Sequence, residues 1–184
     1  GRLEPVEGLD RLAVERLRRK PLKPPIFELI VGYLAQVRGL PGGSERLVEL
    51  GFRPEDYLSD QIDSEITAPL IGMLSGAETM ERFAPIFARC ASRREDSYTP
   101  IKISIVYKLP EIIGAARAAG MTIALFLLID DVPLIRTKAS LAVSNFLNTQ
   151  FLSEVETFEM VLGKIEGREL QRVASEWIEM IKEK

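Results

Sequence analysis

Histidine is absent from this chain, and cysteine occurs once, at Cys90. Those two shortages exclude more chemistry than any motif present suggests. Without histidine there is no Ser-His-Asp or Cys-His catalysis and no imidazole ligand for a metal. One thiol cannot form an internal disulfide, complete a zinc site or hold an Fe–S cluster. Zinc, haem and Fe–S cofactors are therefore disfavoured and no cofactor is required. A metal would need oxygen ligands, which leaves Mg²⁺, Ca²⁺ or Mn²⁺. A lone cysteine fits a reducing, cytoplasmic setting. Asn and Gln are also scarce beside abundant Arg, Glu and Lys, a thermophile-like balance.

Long uninterrupted apolar runs are missing too. The best candidate for a membrane span, residues 112–129, is interrupted by Arg117 and broken by Gly120, so no membrane association is expected. The chain opens GRLEP with no basic-then-apolar leader, so no signal peptide is expected. Net charge is −3, too small for a general attraction to nucleic acid or acidic membranes. The charge is uneven, however. Residues 1–53 carry ten bases against seven acids, and residues 54–99 carry four against nine.

What is present reads as a mostly helical α/β protein, one compact domain of 184 residues. Residues 1–99 form a helical region with helices broken at Pro54, Pro69 and Pro85. Residues 9–20 place Leu9, Leu12, Ala13 and Leu17 on one face. In the next helix Ile26, Leu29, Ile30, Tyr33, Leu34 and Val37 recur at helical spacing, and Phe27 and Val31 widen the stripe. That helix should be buried on most sides. GLPGGS at 39–44 is a loop, with Ser44 as N-cap of a short helix to Leu50. Pieces at 54–60, 64–75 and 77–93 complete this half.

From Pro100 the pattern shifts. Ile101, Ile103, Ile105, Tyr107 and Leu109 alternate with Lys102, Ser104, Val106 and Lys108, the period of a half-buried strand. Pro110 opens a short helix, Gly120 closes it, and the uncharged run 121–129 follows. Strands near 101–109 and 121–129 around that helix make one βαβ unit. Residues 100–184 then comprise this unit and C-terminal helices, near 133–148, 151–165 and 168–182. Two strands make a poor sheet, so either a third lies in 52–67 or a second copy extends it.

Several constellations could carry function. Asp130 and Asp131 end the second expected strand, where ligands of open α/β sheets gather. They could hold Mg²⁺ for a phosphate- or nucleotide-handling enzyme, with Lys108 and Glu111 as neighbours. The simpler reading is an N-cap for the helix that begins VPLI, and the balance favours it. Glu55, Asp56, Asp60, Asp63 and Glu65 lack the spacing of a calcium loop and read as a solvated acidic face. Gly42, Gly43 and Ser44 lack the lysine of a nucleotide-binding loop and read as a turn and cap.

Arg16, Arg18, Arg19, Lys20 and Lys23 form a basic segment, and Arg93 and Arg94 lie near Tyr98. Together they are candidates for single-stranded nucleic-acid binding, with phosphate contacts and base stacking. Bases at a helix C-terminus also favour the helix itself. Leu170, Val173, Trp177 and Ile181 share one face of the last helix and are candidate interface residues. The reading that fits best is a non-catalytic intracellular binding or assembly module, homo-oligomeric or with a protein partner. The Mg²⁺-dependent enzyme and the nucleic-acid binder are its rivals.

Overall fold

The structure is a computed structural model describing residues 8–19, 22–58, 64–147, 168 and 171–176. Among these residues every regular element is helical and there is no strand. The expected helix-plus-sheet α/β fold is thereby corrected: this is a helical protein. The chain separates into two compact units, Gly1–Leu74 and Ser75–Lys184.

The first unit contains α1 (Leu9–Arg18), α2 (Pro24–Arg38), α3 (Gly43–Glu49), a 3-10 turn (Pro54–Tyr57) and α4 (Ser64–Met73). Helix α2 is the hub, packing against α1, α3 and α4. Pro24 and Pro25 lie in its first turn, where the missing N–H costs nothing and the fixed φ suits the helix. The core gathers Val14 and Leu17 from α1, Val31, Leu34 and Val37 from α2, and Leu47, Phe52, Leu70 and Met73. Helix α3 starts after Gly42, whose φ of 71° favours glycine, so Gly42 takes the N-cap position expected of Ser44. Gly43 sits against α2 so closely that a Cβ there would lie 1.9 Å from the Val37 carbonyl oxygen. Pro69 lies inside α4 without ending it. No third strand occurs among the described residues of 52–67.

The second unit contains α5 (Ala77–Ala91), a 3-10 turn (Asp96–Tyr98), α6 (Thr99–Ala115), α7 (Arg117–Leu128) and α8 (Pro133–Leu147). Helices α5, α6 and α7 pack on one another, and α8 packs on α6 and α7. The expected strand 101–109 is the first half of α6, and the expected strand 121–129 is mostly α7. Helix α6 starts with Pro100 in its first turn and continues through Pro110. Its buried side chains, Ile101, Lys102, Ile105, Val106, Leu109, Ile112 and Ile113, follow the helical period. The alternating positions do not share an environment, because Tyr107 is 57% exposed while Ile105 is fully buried.

Gly120 does not close a helix but sits inside α7. A Cβ there would lie 2.7 Å from Cα of Ile113, so glycine is what lets the two helices approach. Beyond α8, Arg168 and residues 171–176 are helical. No helix among the described residues is long and apolar enough to cross a membrane.

Candidate functional site

The most conspicuous surface feature of the first unit lies along α1 and α2. The sequence pattern put Leu9 and Leu12 on the same face as Ala13 and Leu17, yet the helix is turned so that only the latter two face inward. Its inward side carries Asp10, Ala13, Val14 and Leu17. Leu12 is 61% exposed, and Leu29 on α2 is 74% exposed, with Leu9 and Ile26 also exposed. Helix α2 is thus not buried on most sides, as its wide apolar stripe suggested.

Asp10 belongs to that inward side together with three apolar residues. Arg46 on α3 engages its carboxylate twice, through Nε to Oδ2 and through Nη2 to Oδ1 at 3.1 Å, and the backbone N–H of Arg11 donates to Oδ1 at 3.1 Å. Buried Asp10 requires such partners. The Arg46 hydrogen bond holds its carboxyl below the usual value of 3.8, against a desolvation that works the other way. With Asp10 facing inward on one side of the helix, the leucines two residues later and one earlier are turned toward solvent.

The result is an apolar groove of about 950 Å³ between α1 and α2, with Leu9, Leu12 and Leu29 along it and Pro69 of α4 contributing. Gly32 lies in the middle of the α2 side, where a Cβ would meet nothing within 4 Å. Charges border the groove: Glu15 and Arg16 from α1, its C-cap residue Arg19, and Glu28 from α2. Tyr33 also lines it, but its hydroxyl is buried and finds no hydrogen-bond partner among the described residues. Burial, helped by the Asp10 carboxylate, pushes the Tyr33 pKa up.

Asp130 and Asp131, the metal candidates, separate in the structure. They occupy the turn between α7 and α8, and Asp131 is exposed while Asp130 is 4% exposed. Lys102 of α6 reaches Asp130 with Nζ 2.7 Å from Oδ2, its own side chain only 5% exposed. The other oxygen, Oδ1, accepts the backbone N–H of Val132 at 2.9 Å, which fixes the turn into α8. Arg136 donates to the backbone carbonyls of Asp130 and Asp131, at 2.6 and 2.9 Å, and Arg94 donates to that of Ile129 at 3.0 Å. Cationic side chains thus satisfy the carbonyls of the turn that follows α7. An ammonium lies where a cation would have to bind Asp130. Among the described residues no cluster of three metal-ligating side chains exists. Lys108 and Glu111 pair with each other at 3.0 Å along α6.

The basic candidates are scattered in role. Arg18 donates to the backbone carbonyls of Leu50 and Gly51 at 2.8 and 3.2 Å, closing the end of α3. Arg16, Arg19 and Lys23 are exposed, and Lys20 lies outside the described residues. Arg93 is 3.9 Å from Glu95, and Arg94 is committed to Ile129. Tyr98 is partly exposed at the start of α6. The two basic groups belong to different units.

Of the acidic group, Glu55 is partly exposed and Asp56 exposed in the 3-10 turn; Asp60 and Asp63 lie outside the described residues. Of the C-terminal interface candidates, Leu170, Trp177 and Ile181 lie outside them as well, as does the apolar stripe expected over 151–165. Val173 is described, and it is buried within the chain, as is Ala174. Cys90 is buried on α5, and burial pushes its thiol up to about 11 despite Arg89 and Arg93 nearby. Comparison with protein-family models, with curated proteins and with solved structures found no match for this chain.

Lys102, Arg136, Asp10 and Arg46 were not singled out by sequence reasoning, nor was the groove. A signal for the groove was present. The apolar stripe of α2 is wider than one neighbouring helix can cover, and a surplus of that kind implies a face left over.

Proposed function

We propose that this chain works by binding and assembly rather than catalysis, and that the α1–α2 groove of its first unit is the surface that binds. The observation that carries the reading is the exposure of Leu9, Leu12 and Leu29 in one groove bordered by charge. Contiguous exposed apolar surface with a polar rim is the common mark of an interaction site. A helix laid along the groove would bury these leucines while its flanks meet Glu15, Arg16, Arg19 and Glu28. The single, buried cysteine fits work in a reducing, cytoplasmic compartment.

A dye tests whether the groove accepts apolar groups. At sub-micromolar protein, the fluorescence of 8-anilinonaphthalene-1-sulfonate should rise saturably with the native chain. The Leu12→Asn/Leu29→Asn double variant should lose most of that rise with its far-UV circular dichroism unchanged. Equal dye binding by variant and wild type would assign the apolar surface elsewhere.

A further inference from the structure

We infer that the occupant of the groove is a second copy of this chain, seated by a twofold contact in which α1 of each copy lies on α2 of the other; this rests on the groove being a binding surface. Two observations single out a second copy.

The first is the charge on the rim. Arg16 follows the leucines along one side of α1, at positions 9, 12 and 16, and so shares a helical stripe with them, and Arg19, the C-cap residue, lines the same groove. Glu28 stands next to Leu29 on α2, and Glu15 next to Arg16 on α1. The rim therefore carries two bases and two acids. A surface with balanced charges, the bases on one helix and an acid on the other, complements itself. When α1 crosses α2 of a twin, Arg16 and Arg19 approach the partner subunit's Glu28, and the symmetry repeats the pairing. Twofold contacts require this kind of self-complementarity, because each residue of the patch must meet another residue of the same patch. A strongly basic or acidic partner would find half of the rim repulsive.

The second observation is Gly32. A glycine in the middle of a 15-residue helix weakens it. Among the described residues nothing packs close enough to call for one here, since a Cβ would meet no atom of another element within 4 Å. The missing side chain keeps the floor of the groove low between Leu29 and Tyr33, where the partner's leucines can descend. A few leucines make a modest interface, so the dimer should be weak, with a micromolar dissociation constant.

Sedimentation velocity from about 1 to about 100 μM tests this, a range that brackets micromolar affinity. The wild type should pass from monomer to dimer. Gly32→Leu, which fills the groove and raises helix propensity, should lose at least tenfold in association while keeping its fold. The all-acidic Arg16→Glu/Arg19→Glu and the all-basic Glu15→Lys/Glu28→Lys chains should each stay monomeric alone and associate when mixed.

A wild type that remains monomeric throughout overturns the inference. If that monomer still binds the dye at the groove, the binding reading stands and the partner is another protein. A wild-type dimer that survives Gly32→Leu and both charge reversals places the contact elsewhere and overturns the inference equally. So does a mixture of the two reversed chains that stays monomeric.

Discussion

Replacing Asp130 with Asn tests how the second unit is held together. Asn keeps an oxygen to accept the Val132 N–H, so the turn into α8 retains its hydrogen bond. What it loses is the charge facing Lys102. At 2.7 Å and an effective dielectric near 20, the Coulomb attraction of this pair is about 6 kcal/mol. Most of that offsets the removal of two ions from water, several kcal/mol each. The net value of the pair is therefore small, but breaking it is expensive. The side chains of Lys102 and Asp130 are 5% and 4% exposed, so either one left alone is a buried charge without a counter-ion. That arrangement costs about 3–5 kcal/mol.

Asp130→Asn and Lys102→Met should each lose about that much, whereas the double variant, which leaves no buried charge unpaired, should lose no more than either one alone, a coupling energy of at least about 3 kcal/mol. Asp131→Asn, at an exposed position, should stay within about 0.5 kcal/mol of wild type. Urea unfolding followed by far-UV circular dichroism reads all four, in whichever transition belongs to Ser75–Lys184. An Asp130→Asn variant as stable as wild type would refute the reasoning, and so would additive costs in the double variant. A Mg²⁺-induced rise in Tm that both aspartate variants abolish would restore the metal reading.

Two further outcomes follow from the titrating groups. Asp10 has its pKa lowered in the fold, so its contribution is fully present above about 3.8 and fades as pH falls below that value through the folded pKa. Asp10→Asn should lower Tm at pH 7 and remove part of the acid-induced loss; a variant with the wild-type acid slope would exclude Asp10 as its source. Cys90, buried and with a pKa of about 11 instead of 9.0, holds roughly a hundredfold less thiolate at pH 8 than an ordinary thiol. It should react with dithionitrobenzoate only after unfolding, and rapid native labelling would contradict its burial.

The helices of the first half were legible because their apolar residues recur at helical spacing and Pro24 and Pro25 fall in a first turn, although Pro69 and Pro85 sit inside α4 and α5 instead of breaking them. The helices α6 and α7 were misread as strands for a physical reason. Ile101, Ile103, Ile105, Tyr107 and Leu109 do alternate with Lys102, Ser104, Val106 and Lys108, but a helix buried on several sides also offers apolar contacts at many spacings. Only the longer set Ile101, Ile105, Leu109, Ile112 and Ile113 distinguishes them, and it runs through Pro110. Treating Pro110 as a helix start cut that set in two. Gly120 misled in the same way. Its role is to admit Ile113 at a helix crossing, a contact between residues that periodicity along one segment cannot reveal.

The aspartates carry the same lesson further. As a strand, 101–109 would have turned Lys102 away from Ile101 and Ile103, toward the solvent side of a sheet edge. As a helix it puts Lys102 beside Ile101, Ile105 and Val106 on a buried surface, and an ammonium on that surface must find an anion. Among the described residues of the second unit the buried anion is Asp130, 28 residues along the chain. Choosing the period of α6 therefore also decides the chemistry of Asp130. Under the strand reading its carboxylate stands open to Mg²⁺, and under the helical one Lys102 occupies it. A buried carboxylate also lies on the inward face of α1, where Asp10 is buried with Ala13, Val14 and Leu17 while Leu9 and Leu12 face out. In each unit an inward-facing carboxylate is paired with a cation from another helix, Asp10 with Arg46 and Asp130 with Lys102.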